Sequence, residues 1–288
     1  MQILIYGLIN SITLSLFALG FTLVYSISRI PNFAHGAIYV TTGYLTWLFM
    51  NLLNLNYFLS CVLSILLSCI ISALIYRLVL IRIRGMDISE VIATYAVGLA
   101  IIEGLRWGGL RGSTYTLPPI IAGSLEIFGV IVDYQRLIAV AISLVTFLFL
   151  YFFVKFTKTG LALKGIAQDE RASMMLGINS DKMAVISFIV GSIITGISAI
   201  LIFPLGNIVV EAGYNVLIFS IAVSIIGGLG SWGGAVIASF IIGFVQILTE
   251  VFISSHFQIV VALLAIIVTL LLKPSGLFGK QKELEERV

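Results

Sequence analysis

Residues 6–28 read "YGLINSITLSLFALGFTLVYSIS", and "RIPNFAHGAIYV" follows at 29–40. The first stretch holds no charged residue and does not alternate polar with apolar side chains. About 20 residues of this kind span the hydrocarbon core of a bilayer as a helix. A barrel strand would alternate over about 10 residues. Backbone groups in lipid must be satisfied within the segment, which a helix does and an open strand does not. The opening stretch therefore predicts a membrane-spanning helix that ends in a polar patch.

The pattern recurs along the chain. Nine spans are expected, at about 6–28, 34–52, 57–80, 88–107, 136–155, 183–204, 214–230, 233–254 and 257–273, one of them re-entrant or broken. The 288 residues are 60% hydrophobic and 10% charged, against about 25% charged in a soluble domain. The fold class is an all-α polytopic helical bundle of about 8–9 transmembrane helices with an internal repeat, one transmembrane domain over 1–288. The first residues, "MQILIYG", lack a basic segment and a cleavage site, so no removable signal peptide is expected. Cys61 and Cys69 share one apolar run and point to neither a disulfide framework nor a metal site.

The cations orient the bundle. Every lysine, with Arg29, Arg77, Arg82, Arg84, Arg171 and Arg287, falls on one side; Arg106, Arg111 and Arg136 fall on the other. The richer side is expected to be cytoplasmic. That places the N-terminus outside and the tail "KQKELEERV" inside. The segment 108–135 is then external, with Gly, Pro and Thr suited to a strand or loop. The segment 156–182 is the long internal loop, and the spacing of Ala167, Arg171, Met174 and Met175 predicts a short amphipathic helix. Asp169 and Glu170 suit its first turn, and Gly177 its stop.

An internal repeat is suggested by aligning "LGFTLVYSISRIPNFAHGA" (19–37) with "LIFSIAVSIIGGLGSWGGA" (217–235). In each, an apolar span runs into a polar or Gly-rich break and then into another span. Interrupted spans at matching places in two halves point to the substrate path of a transporter, although tight turns between helices would give the same pattern. In the first break Pro31 ends or begins a helix, Asn32 is the expected N-cap, and His35 and Gly36 fall on the first turn. A free helix N-terminus there would attract a carboxylate. The second break, "GGLGSWGG" at 227–234, has no Lys that would make it a phosphate loop. Its glycines suit close helix packing as well as a path. Glu103 and Arg106 are expected to pair at the outer interface, and His256 to be interfacial. Ser231 with a histidine lacks the setting of a hydrolase nucleophile.

Three stretches together, "NFAHG" at 32–36, "GIAQDERASMMLGINSDKM" at 165–183 and "GGLGSWGGAVIASFIIG" at 227–243, are followed by "LLKPSGLFG" at 271–279. With them the chain resembles, over nearly its whole length, the LivH-like permeases of branched-chain amino acid ABC importers. Urea and short-amide permeases share these marks, so the resemblance leaves that substrate class open. The tail departs slightly: Lys273 stands where an Arg often precedes the Pro, and the charge is kept.

The resemblance implies a non-enzymatic transporter subunit in a prokaryotic inner membrane, without cofactor or metal, in contact with lipid and not with nucleic acid. Its implied partners are a second permease subunit (a paralogue or a copy of itself), two ABC ATPases that use the ATP, and an external substrate-binding protein. Asn32, Phe33, His35, Gly36, Gly228, Gly230 and Ser231 are the expected path residues. Ala167, Asp169, Arg171, Ala172 and Gly177 match the family's coupling helix. An ion-coupled carrier or channel is the competing class. It would want acidic residues in mid-span, where Glu103 is the one candidate and has Arg106 beside it.

Overall fold

The computed structural model describes residues 1–29, 31–110 and 115–279, the side chain of Asp87 excepted. Arg111, Lys280, Lys282 and Arg287, and with the last three the tail "KQKELEERV", lie outside the described residues.

All nine expected spans are helical. They are α1 (Gln2–Ser28), α2 (His35–Asn51), α3 (Tyr57–Leu74), α5 (Asp87–Gly108), α6 (Tyr134–Phe156), α9 (Ser180–Ile202), α10 (Glu211–Gly227), α11 (Trp232–Phe252) and α12 (Gln258–Leu272). Among the described residues seven helices are long and apolar enough to cross a membrane. The exceptions are α2 and α10, the helices that follow the first break and precede the second. Beyond α3 the chain continues through a π-helical turn, Ile75–Leu80, and a single α-turn, α4 (Ile81–Ile83). The 156–182 loop holds α7 (Lys158–Gln168) and α8 (Glu170–Met175). Between α5 and α6 the chain forms an antiparallel hairpin, β1 (Ser124–Ile127) and β2 (Val130–Asp133), turned at Phe128–Gly129 with both φ angles positive. Such angles match the twist of the flanking strands.

The central post is α1, buried along most of its length and packed on α6, α9, α10 and α11. Lipid offers no hydrophobic drive between helices, so close approach and hydroxyl bonds hold the bundle. The sequence supplies both. Ser60, Ser64, Ser68 and Ser72 form a buried stripe along α3. Ser64 and Ser68 share hydrogen bonds with Thr46 and Thr42 of α2 at 2.7 Å, and Ser72 donates to the Phe188 carbonyl of α9 at 3.0 Å. Bonds of this sort in a membrane average about 0.6 kcal/mol each. Between α1 and α11, Asn10 donates to Gln246 Oε1 at 2.8 Å, and a Cβ on Gly243 would run into Ser11. The peripheral helix is α12, which buries Ala262 alone.

The repeat is visible as helix, break, helix in both halves: α1, 29–34, α2, and α10, 228–231, α11. α1 packs on α11 as α10 packs on α2, the crossed pairing expected of two related halves. Both breaks belong with α7, α8 and the 273–279 strap to one group of contacts: Arg29 donates to the Ala167 carbonyl, Trp232 Nε1 to Ser26 Oγ, and Leu277 N–H to the Ile226 carbonyl. This end carries the described basic residues from Arg29 to Lys273 other than Arg106 and Arg136. Arg106 and Arg136 sit at the opposite end, with the hairpin and the N-terminus of α1, where Tyr6 donates to the Ile131 carbonyl.

Candidate translocation site and coupling surface

α1 ends at Arg29 in a left-handed turn (φ 60°) whose N–H returns to the Tyr25 carbonyl. The chain then climbs back into the bundle. Ala34 lies against Gly98, in the middle of α5, and His35 meets Phe17 and Thr195, well inside α1 and α9. α2 therefore begins at mid-bundle. With 17 residues against 27 in α1, it is a shortened helix because the break before it re-enters the bundle.

Asn32 is not the N-cap: Ala34 holds that position. Asn32 acts one step earlier, its Oδ1 accepting from Ala34 N–H at 3.1 Å and its carbonyl from His35 N–H at 3.1 Å. Thr94 of α5 secures the loop from the other side, accepting from Phe33 N–H at 3.3 Å. The next two N–H groups of α2, on Gly36 and Ala37, meet no acceptor among the described residues.

His35 is 2% exposed. Its Nε2 lies 3.0 Å from the Phe17 carbonyl, which can only accept, so Nε2 carries the proton. Its Nδ1 faces Thr195 Oγ1 at 3.4 Å, and the Phe21 ring stands edge-on at 5.6 Å. The imidazole is clamped between α1 and α9. The opposite side of α2 borders a crevice against α5 and α10, lined by Phe33, Gly36, Ala37, Tyr95, Gly98, Leu99, Ile102, Gly213, Tyr214 and Leu217. No titrating acid or base lies among these residues apart from the two phenols. The crevice holds only about 10 Å³ of accessible space, no more than one water would need, so it is shut. One reason is that Gly36 lies directly on the Gly213 carbonyl oxygen, where a Cβ would collide.

The second break sits at a different depth. Gly228 (φ 97°) and Gly230 (φ 84°) turn the chain at the end of α10, and Ser231 caps α11 by accepting from Gly234 N–H at 3.2 Å. Gly227 and Gly234 touch backbone to backbone. The 273–279 strap closes the turn from outside: Leu277 and Phe278 N–H donate to the Ile226 and Gly227 carbonyls at 2.8 and 3.1 Å. These are terminal carbonyls that α10 leaves without an intrahelical partner. Of the expected path residues, Phe33 and Gly36 line the crevice. Asn32 and His35 support it from behind, and Gly228, Gly230 and Ser231 lie near the Ser26 end of α1.

The 156–182 loop is two helices where one was expected. Ala167 belongs to α7, whose Leu163 and Ile166 are buried beneath the bundle. Asp169 breaks the run, because its Oδ1 caps α8 by accepting from Ala172 N–H at 2.9 Å. α8 stops as the glycine implied. Gly177 (φ 82°) donates to the Met174 carbonyl at 2.9 Å and Ile178 to the Ser173 carbonyl at 3.1 Å, the two bonds of a Schellman turn. Asn179 then caps α9. One face of α8 is left outward, with Arg171 and Ala172 exposed, Met175 90% exposed and Leu176 82% exposed. Sequence reading missed Arg84, which binds both Glu170 and Asp181. Those partners are remote in the chain, and no local pattern marks them.

A multi-pass helical bundle with a shortened helix starting at mid-depth, and a capped helical surface at the end where its second break lies, has the build of a transport permease. The family of branched-chain amino acid transport system permease components matches residues 3–271, and the chain belongs to it. It is 25% identical to the high-affinity branched-chain amino acid transport permease BraD of Pseudomonas aeruginosa, over 97% of this chain and 96% of that protein. It is 25% identical to LivH of Salmonella typhimurium over the same shares. A probable LivH of Methanocaldococcus jannaschii is 28% identical over 95% of this chain and 90% of that protein. Among solved structures, PsaBC from Streptococcus pneumoniae in complex with Fab aligns with a TM-score of 0.55 at 13% identity, over 100% of this chain and 96% of that one, a likeness of fold.

Proposed function

We propose that this chain is the path-forming subunit of an ATP-driven importer for branched-chain or other small neutral amino acids. Membership of the permease family supports the transporter role, and the names of the relatives support the substrate class. The observation that carries the coupling half is α8: a short helix capped at both ends, with Met175 and Leu176 turned outward. We assign it as the contact to a cytoplasmic ATPase, with Asp169 and Gly177 shaping it, Arg171 and Ala172 on its exposed side, and Ala167 anchoring the preceding helix to Arg29. Two such ATPases would hydrolyse the ATP; this chain needs no cofactor of its own. A second permease subunit would complete the path, and an external binding protein would deliver the ligand. The basic end is then cytoplasmic and the hairpin end external.

The crevice between α2, α5 and α10 is the proposed route. It offers a zwitterion no salt bridge, so the carboxylate would be held by the Gly36 and Ala37 N–H groups at the start of α2, where the helix dipole is positive. Selectivity would then reside mainly in the binding protein. Gly228, Gly230 and Ser231 would border the inner mouth. The test is uptake by vesicles containing the full complex, loaded with ATP and offered labelled leucine, alanine, glutamate and urea. Leucine uptake that requires internal ATP is expected. Uptake of urea alone would overturn the substrate assignment, and uptake independent of ATP would overturn the coupling.

A further inference from the structure

We infer that Arg84 is a positioning residue for transport, an ionic clasp that joins α8 to the ends of α3 and α9 so that movement of α8 is passed into the bundle. The inference rests on the reading of α8 as the ATPase contact. Arg84 stands where the chain leaves the last turn after α3 for extended backbone (φ −58°, ψ 136°). Its Nη1 pairs with Asp181 and its Nη2 with Glu170, and Nη2 also donates to Ser180 Oγ at 2.6 Å. Glu170 is the first residue of α8, while Ser180 and Asp181 are the first two of α9. The hydroxyl of Tyr76, in the π-helical turn, donates to the same Asp181 oxygen at 3.0 Å, and its ring packs on Phe188 of α9 at 5.4 Å.

The chemistry suits a clasp. A guanidinium is a flat fork with donors facing two directions, so it binds two carboxylates from separate helices at once; an ammonium is a point charge on a flexible stem. Partial burial opposes the charge of Arg84, but Tyr76, Asp181 and Glu170 together move its pKa upward, so it stays protonated. The π turn adds a second reason for a mechanical role, since such irregularities often occur at functional sites. Here Tyr76 of the turn and Arg84, just past the single α-turn that follows it, both reach Asp181. A shift of α8 would pull on Glu170, and through Arg84 on the end of α3 and the start of α9. Those helices are the ones bonded to α2 through the serine stripe and His35.

The test uses the assembled transporter in vesicles, with leucine uptake and ATP hydrolysis measured together. Arg84→Gln should keep hydrolysis and lose uptake, raising the ATP consumed per leucine about fivefold or more. Arg84→Lys should fall between, and it carries the test if the Gln variant does not assemble. A merely structural arginine would act by relieving repulsion between Glu170 and Asp181. The triple variant Arg84→Gln, Glu170→Gln, Asp181→Asn removes that repulsion. It should recover thermal stability yet remain uncoupled. A wild-type ATP-to-leucine ratio in the triple variant or in Arg84→Gln overturns the clasp. Met175→Glu changes the outward face of α8 without touching the clasp. Impaired transport there beside a wild-type ratio in Arg84→Gln overturns the clasp and leaves the reading of α8 standing; wild-type behaviour in both variants overturns both.

Discussion

Gly36 is the residue on which the candidate path turns, because it has no Cβ where the backbone of α10 passes. Gly36→Ala would drive a methyl into the Gly213 carbonyl, a backbone atom that cannot swing aside. Overpacking of this kind costs about 1–3 kcal/mol. The expected result is a lower melting temperature in detergent and reduced uptake, whereas Gly233→Ala, with open space around it, should behave as wild type. Equal stability of the two variants would contradict the close contact. His35 makes the complementary case. Its ring bonds toward α1 and α9, away from the crevice. His35→Leu should therefore lower stability by about 1 kcal/mol, the scale of a hydrogen bond within a membrane. The KM for uptake, normalised to folded complex, should hold. A large rise in KM without loss of stability would place the ring in the path after all.

At the scale of elements, α8 exists through its ends. Six residues do not hold a helix by propensity, since nucleation is costly and isolated short helices are marginal. The Asp169 cap and the Gly177 turn fix both termini. Asp169→Ala should cost about 0.5–2 kcal/mol of local stability. Gly177→Pro is harsher: it imposes a φ near −65° where the chain has +82° and deletes the N–H that bonds Met174. Both variants should insert normally, become sensitive to protease within 165–180, and lose ligand-stimulated ATP hydrolysis. Normal stimulation in the Gly177→Pro transporter would remove α8 from the coupling role. The serine stripe of α3 permits an element-level test of packing. Ser64→Ala with Ser68→Ala should weaken the α2–α3 contact by about 1 kcal/mol, read as a modest fall in melting temperature.

For the whole molecule, the two breaks lead to unequal expectations. The mid-bundle crevice is shut, while the second break lies at one end of the bundle. In a background with Cys61 and Cys69 replaced, Phe33→Cys should react with a small aqueous thiol reagent only while the transporter turns over ATP. Ser231→Cys should react with or without ATP. A transporting protein in which Phe33→Cys stays inert throughout would show that the route runs elsewhere.

Much of this architecture was legible without coordinates. Long, mostly apolar runs require helices because lipid gives the backbone no other partner, and nine such runs are present as helices. The Gly177 stop was legible too, since a left-handed residue after a helix is most often glycine. Depth was not. Phe33 and Ser231 occupy matching places in the repeat, yet the first break re-enters to mid-bundle and the second does not, because contacts with α5 and α9 hold one and the 273–279 strap holds the other. The division of the loop at Asp169 depended on a side chain competing with the helix for its own backbone. The clasp at Arg84 depended on three segments meeting at one end of the bundle. Sequence specifies what each segment must do in lipid, through hydrophobicity and hydrogen-bond supply. Which polar groups then face one another is a matter of non-local packing, and the tertiary structure alone decides it.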